Sequence, residues 1–81
     1  MERKIAVIGI ILDEVEASER VNAVLHEFGD IIVGRMGIPY RERGVSVISV
    51  VADASPDMIS ALTGKLGHID GVSVKAAISK R

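Results

Sequence analysis

The stretch that decides the fold is DIIVGRMGIPYRERGVSVISVVAD, residues 30–53. Its two ends are aliphatic and rich in branched side chains, while its middle is cationic and punctuated by glycine. Side chains branched at Cβ lose rotamer freedom in a helix and pack well on a pleated surface, so both ends read as strands. The first covers residues 30–38, interrupted by Gly34 and Gly37, and is expected to stop at Pro39, which has no N–H to give to a ladder. The second covers residues 45–53. The short polar link PYRERG between them makes the pair an antiparallel hairpin with a longer-than-minimal loop.

Outward from the hairpin, each flank supplies one strand and one helix. Residues 3–12, RKIAVIGIIL, form a continuous aliphatic run that reads as a strand buried on both faces, with Ile5, Val7 and Ile11 on one side and Ile8, Ile10 and Leu12 on the other. Asp13 is expected to cap a helix, with Glu16 in the capping-box position. Ala17, Val21, Val24, Leu25 and Phe28 then recur at helical spacing until Gly29 supplies a stop. On the other flank, Ser55-Pro56-Asp57 combines a capping side chain, a proline for the first helical position and an acid for the first turn. Ile59, Leu62, Thr63 and Leu66 make the stripe of this second helix, which ends at Gly67. GVSVKAAIS, residues 71–79, is a fourth strand, with Val72, Val74, Ala76 and Ile78 on one face and Ser73, Lys75 and Ser79 on the other.

The order β-α-β-β-α-β defines an α+β, ferredoxin-like chain: a four-stranded antiparallel sheet with two helices on one face, both crossovers being right-handed. Residues 1–81 read as one domain. The faces of such a sheet do not balance. Helices dry one side only, yet the first three strands carry aliphatic residues at both parities. An exposed apolar patch of more than about a few hundred Å² is unusual for a soluble monomer. The expectation is therefore a homodimer or higher homo-oligomer, joined sheet on sheet or edge to edge.

Composition narrows the chemistry. Hydrophobic residues make up 48% of the 81 positions but aromatics only 2%, cysteine is absent, and the formal net charge is −1. A near-neutral chain has no global attraction to nucleic acid or anionic lipid. Tyr40 and Phe28 are too few to make the stacking platform that a ferredoxin-like sheet needs for RNA. The aliphatic run near the start falls well short of the roughly 20 residues of a membrane helix, and it lacks the cleavage site of a secretory signal, so the expectation is a cytoplasmic protein with no membrane and no direct nucleic-acid partner. His26 and His68 have no second ligand at metal spacing, and no cofactor or metal is expected. Asp13, Glu14 and Glu16 sit where a helix start favours acids, and that acidity opposes phosphate binding there. No nucleophile–base pair is evident, so the chain does not read as an enzyme.

That leaves GRMGIPYRERG, residues 34–44. On one reading, Gly34 and Gly37 are bulge positions of an edge strand and Arg41, Glu42 and Arg43 a solvated tip. On the other, Arg35, in mid-strand between apolar neighbours, seeks a carboxylate or an anionic ligand, and the glycines admit a partner backbone or ligand. On this second reading the ligand- or partner-binding residues are Gly34, Arg35, Met36, Gly37, Tyr40 and Arg41.

Three segments, LHEFGDIIVGRMGIPYRERGVSVISVV, ALTGKL and GVSVKAAISK, resemble a small ACT-like family described as regulators of the iron-only hydrogenase system. The resemblance runs from the first strand to the last lysine, and GRMGIPYRERG is its most specific part. It implies an ACT-type ferredoxin-like fold, oligomerisation through the sheet and a regulatory, effector-sensing role with a small molecule or a protein as partner. ACT domains that bind amino acids usually carry an Asp-x-Pro-Gly-like turn after the first strand; here the turn is LDEVEAS, without proline or glycine. The competing expectation is a structural oligomerisation module that scaffolds another protein and binds nothing small.

Overall fold

A computed structural model of the chain describes residues 2–80. The elements follow the expected order: β1 (Lys4–Leu12), α1 (Ala17–Glu27), β2 (Ile32–Tyr40), β3 (Val45–Ala54), α2 (Pro56–Gly67) and β4 (Val72–Ile78). Short 3-10 turns at Gly29–Ile31 and Arg41–Arg43 lead into and out of β2. The four strands form one antiparallel sheet in the order β2-β3-β1-β4, the ferredoxin-like arrangement, with β2 and β4 at the edges.

Alternation along β1 and β3 builds the core. Ala6, Ile8, Ile10 and Leu12 pair across the sheet with Ala52, Val50, Ile48 and Ser46, and all four are buried under the helices. From β3, Ile48, Val50, Ala52 and Ala54 face the same way and are buried too. Helix α1 contributes Ala17, Val21 and Leu25, and α2 contributes Ile59, Leu62 and Leu66, so both expected stripes do meet the sheet. Each such side chain, fully buried, is worth about 1.5–3 kcal/mol of transfer free energy. No polar or charged side chain is buried among the described residues. Among the described residues, no helix is long and apolar enough to cross a membrane.

Helix α2 starts as its sequence dictates. Ser55 is extended and its Oγ accepts the Met58 N–H at 3.3 Å, with Pro56 directly behind it. Helix α1 does not. Asp13 is no N-cap: its N–H donates to the Gly71 carbonyl at 2.8 Å, which continues the β1–β4 ladder beyond Leu12. Turns closed by the N–H groups of Ala17 and Ser18 then use up residues 14–16, and the helix begins at Ala17 with no side-chain cap.

Strand β2 also departs from expectation. It begins at Ile32, after the 3-10 turn, and runs through Pro39 to Tyr40. The missing N–H of Pro39 is tolerated because β2 is an edge strand, with one side free of any ladder. A bulge at Val33 shifts its register: Ile32 lies opposite Ala52, but Gly34 lies opposite Val51. That extra residue exchanges the two faces of everything after it.

The face turned away from the helices is apolar. Ile5, Val7 and Ile11 of β1, Met36, Ile38 and Tyr40 of β2, and Val47 of β3 are all exposed, several by nearly half. Continuous aliphatic runs in β1 and β3 thus place one set of side chains in the core and a second set outside it.

Candidate functional site

The bulge at Val33 divides the six expected site residues. Gly34, Met36 and Tyr40 lie opposite Val51, Ser49 and Val45 and share the open face. Arg35 and Gly37 lie opposite Val50 and Ile48 and turn toward the helices. Arg41 belongs to neither face; it starts the 3-10 turn at the hairpin tip. Gly44 closes that turn with φ of +66° and donates its N–H to the Arg41 carbonyl at 3.1 Å. Tyr40 Oη donates to Glu42 Oε2 at 3.3 Å.

On the helix side, α1 and β2 do not close on each other. A groove runs between them as three adjoining hollows. The hollow nearest the hairpin tip, about 330 Å³, is lined by Glu14, Val15, Ser18, Pro39 and Arg41 among others. It shares Leu12, Ser18, Pro39 and Ser46 with a middle hollow of about 290 Å³. The middle hollow shares Asn22 and Arg35 with the third, which reaches His26 and Ile32. Arg35 Nη2 donates to Asn22 Oδ1 at 2.7 Å, tying β2 to α1 where the second and third hollows meet. Of the side chains lining the middle hollow, Arg35 alone is charged; Ser18, Asn22 and Ser46 are its neutral polar company, and Leu12 and Ile48 its apolar floor. An uncovered Gly37 helps keep this hollow open, since a Cβ there would lie 3.9 Å from Ile48 Cγ1.

The groove carries two cationic side chains, Arg35 and Arg41, and one acidic side chain, Glu14, in the hollow that Arg41 also lines. The ion pairs among the described residues are Arg3–Asp53, Lys4–Glu2 and Lys65–Glu27. Arg35 and Arg41 therefore have no carboxylate partner among the described residues. A guanidinium satisfied by one neutral amide oxygen keeps most of its donors for an incoming anion. His26 and His68 are exposed, and no group of three His, Asp or Glu among the described residues is placed to hold a metal ion.

Of the six expected residues, the structure lines Arg35, Gly37 and Arg41 along this groove, together with Ser18, Asn22 and Ser46, which the sequence reading did not name. Ser18 and Asn22 stand one helical turn apart on the flank of the α1 stripe, which is the signal that marks them. Their facing β2 depends on the bulge, which the sequence does not announce.

A four-stranded antiparallel sheet built in βαββαβ order with both helices on one side is a ferredoxin-type fold. Within that class the chain belongs to the TM1266-like family, whose description reads "Iron-only hydrogenase system regulator, putative" and which matches residues 4–76. The chain is similar to the uncharacterized protein TM1266 from Thermotoga maritima, at 39% identity and a TM-score of 0.92, over 98% of this chain and 100% of that one. It is similar in fold to part of a formyltetrahydrofolate deformylase from Pseudomonas putida KT2440, at 12% identity and a TM-score of 0.67, over 95% of this chain but 29% of that one. It is likewise similar in fold to CPII from Thiomonas intermedia K12, a nitrogen regulatory PII-like protein solved with ADP, AMP and bicarbonate; identity is 15%, TM-score 0.52, and coverage 99% and 96%. No protein with a curated description matches the chain.

Proposed function

We propose that the chain is a non-catalytic regulatory domain that works as a homo-oligomer and receives a small anionic effector in the groove between α1 and β2. The observation that carries this is the apolar open face, where Ile5 and Val7 remain 45% and 47% exposed and Met36 62%. Side chains of that type at that exposure are stabilised by a covering surface, at about 25 cal/mol for each Å² removed from water.

In the groove, Arg35 and Arg41 supply charge, Ser18, Asn22 and Ser46 supply neutral donors, and Leu12 and Ile48 supply an apolar floor. Met36, Gly34 and Tyr40 act on the other face, at the contact between copies. An effector that replaces Asn22 as the partner of Arg35 acts on β2, the strand whose opposite side belongs to the open face. It thereby favours one subunit arrangement over another, by as much as its affinity differs between them.

The test is thermal shift of the purified protein with AMP, ADP, bicarbonate and a panel of small carboxylates, on wild type and Arg35→Ala. A compound that raises the midpoint of wild type should lose at least tenfold in affinity with Arg35→Ala. A compound that stabilises both equally removes Arg35 from the site. A panel without hits, on a protein that still self-associates, supports the scaffold reading instead.

A further inference from the structure

The strands present two formal charges on the open face, and their positions are related through β1. Asp53 of β3 lies opposite Ile5, and Lys75 of β4 lies opposite Gly9. Strands β3 and β4 are the two neighbours of β1. Midway between Ile5 and Gly9, on β1 itself, stands Val7, which points out of the same face. Val7 is flanked across the sheet by Val51 and Ala77. Asp53 is held loosely by Arg3 at 3.4 Å, and Lys75 has no ion pair among the described residues. Beside Lys75, the absent side chain of Gly9 leaves an apolar hollow of about 230 Å³ between Ile11, Val47 and Val74.

We infer that the open face receives a second copy of this chain, with the two-fold axis passing over Val7 and Lys75 of each copy seated against Asp53 of the other. This rests on the self-association proposed above and names its surface and register. A two-fold axis lying in an interface exchanges the ends of any line it bisects at right angles, and an isologous contact makes every such pair twice. The line from Asp53 to Lys75 is bisected at Val7. One rotation therefore brings both opposite-charge pairs together and stacks Val7 on Val7. A rotation that kept these charges apart would press Lys75 against aliphatic side chains, and an ammonium dried without a carboxylate is costly. A knob from the facing copy also fills the hollow at Gly9.

Lys75→Glu and Asp53→Lys test the register, read by sedimentation over a range of concentration. In either variant alone, like charges face each other across the axis, and self-association should fall at least tenfold. In an equimolar mixture both contacts become opposite-charge pairs, and association should return to within a few fold of wild type. Single variants that associate as tightly as wild type, or a mixture no tighter than its components, would overturn the register. A wild type that stays at the mass of one chain would overturn self-association itself.

Because the chain has no cysteine, Val7→Cys gives an independent reading of the axis. Mild oxidation should link it to its own copy, whereas Val15→Cys, 82% exposed in the turn before α1, should not link. A Val7→Cys protein that self-associates but does not cross-link faster than Val15→Cys would overturn the placement of the axis.

Discussion

Placing a carboxylate at Val7 separates the open face from the core within a single residue step. Val7 is 47% exposed while its neighbour Ile8 is fully buried. About half of the Val7 side chain is therefore still in water, and covering the rest is worth about 0.7 kcal/mol per copy, or about 1.5 kcal/mol for a pair of copies. Val7→Asp forfeits that gain and sets two carboxylates against each other in a dried contact, at a cost of about 3–5 kcal/mol. The sum, about 5 kcal/mol, weakens association by three to four powers of ten. Within an isolated chain the same substitution sits in water and costs about 1 kcal/mol or less. Ile8→Ala instead opens the core and costs about 2–5 kcal/mol in any assembly state. The assay is thermal unfolding across a wide range of protein concentration, because a midpoint set by assembly rises with concentration. Wild type and Ile8→Ala should both show that rise, the latter from a lower baseline, and Val7→Asp should lose it. A Val7→Asp protein whose midpoint climbs with concentration as wild type does would refute the reasoning.

Two further substitutions test the local structure at fixed protein concentration. Ser55→Ala removes the oxygen that accepts the Met58 N–H, and should cost about 1 kcal/mol, seen as a fall of roughly 4–8 °C in the unfolding midpoint. Gly71→Ala meets two obstacles: φ is +79°, and the new Cβ would lie 3.0–3.1 Å from the Glu14 side chain. It should destabilise by about 1–2 kcal/mol, and adding Glu14→Ala should recover only the part due to contact.

The element order was legible because periodicity and punctuation agreed across most of the chain. The branched aliphatic run of residues 45–53 and the Ser55-Pro56-Asp57 start specified β3 and α2 to within a residue. Asp13 misled because its own composition fits a cap, while its amide is claimed by Gly71 from the far end of the chain, a contact that local sequence does not encode. Pro39 misled because a proline ends a central strand but not an edge strand, and which strand lies at the edge is a property of the sheet. The candidate site was half legible for a related reason. Arg35 stood out as a charge among aliphatic neighbours. The direction in which it points depends on one bulged residue at Val33, and that residue sends Met36 and Tyr40 to the opposite face. The apolar open face, by contrast, was visible in the sequence as strands that failed to alternate.

The most direct measurement is the solution mass of the unmodified protein by light scattering at micromolar concentration. Self-association through the open face gives two or more times the 8.6 kDa of one chain, and a shift toward a single chain on Val7→Asp. A wild-type mass of 8.6 kDa, with Ile5, Val7 and Ile11 left in water, would contradict it.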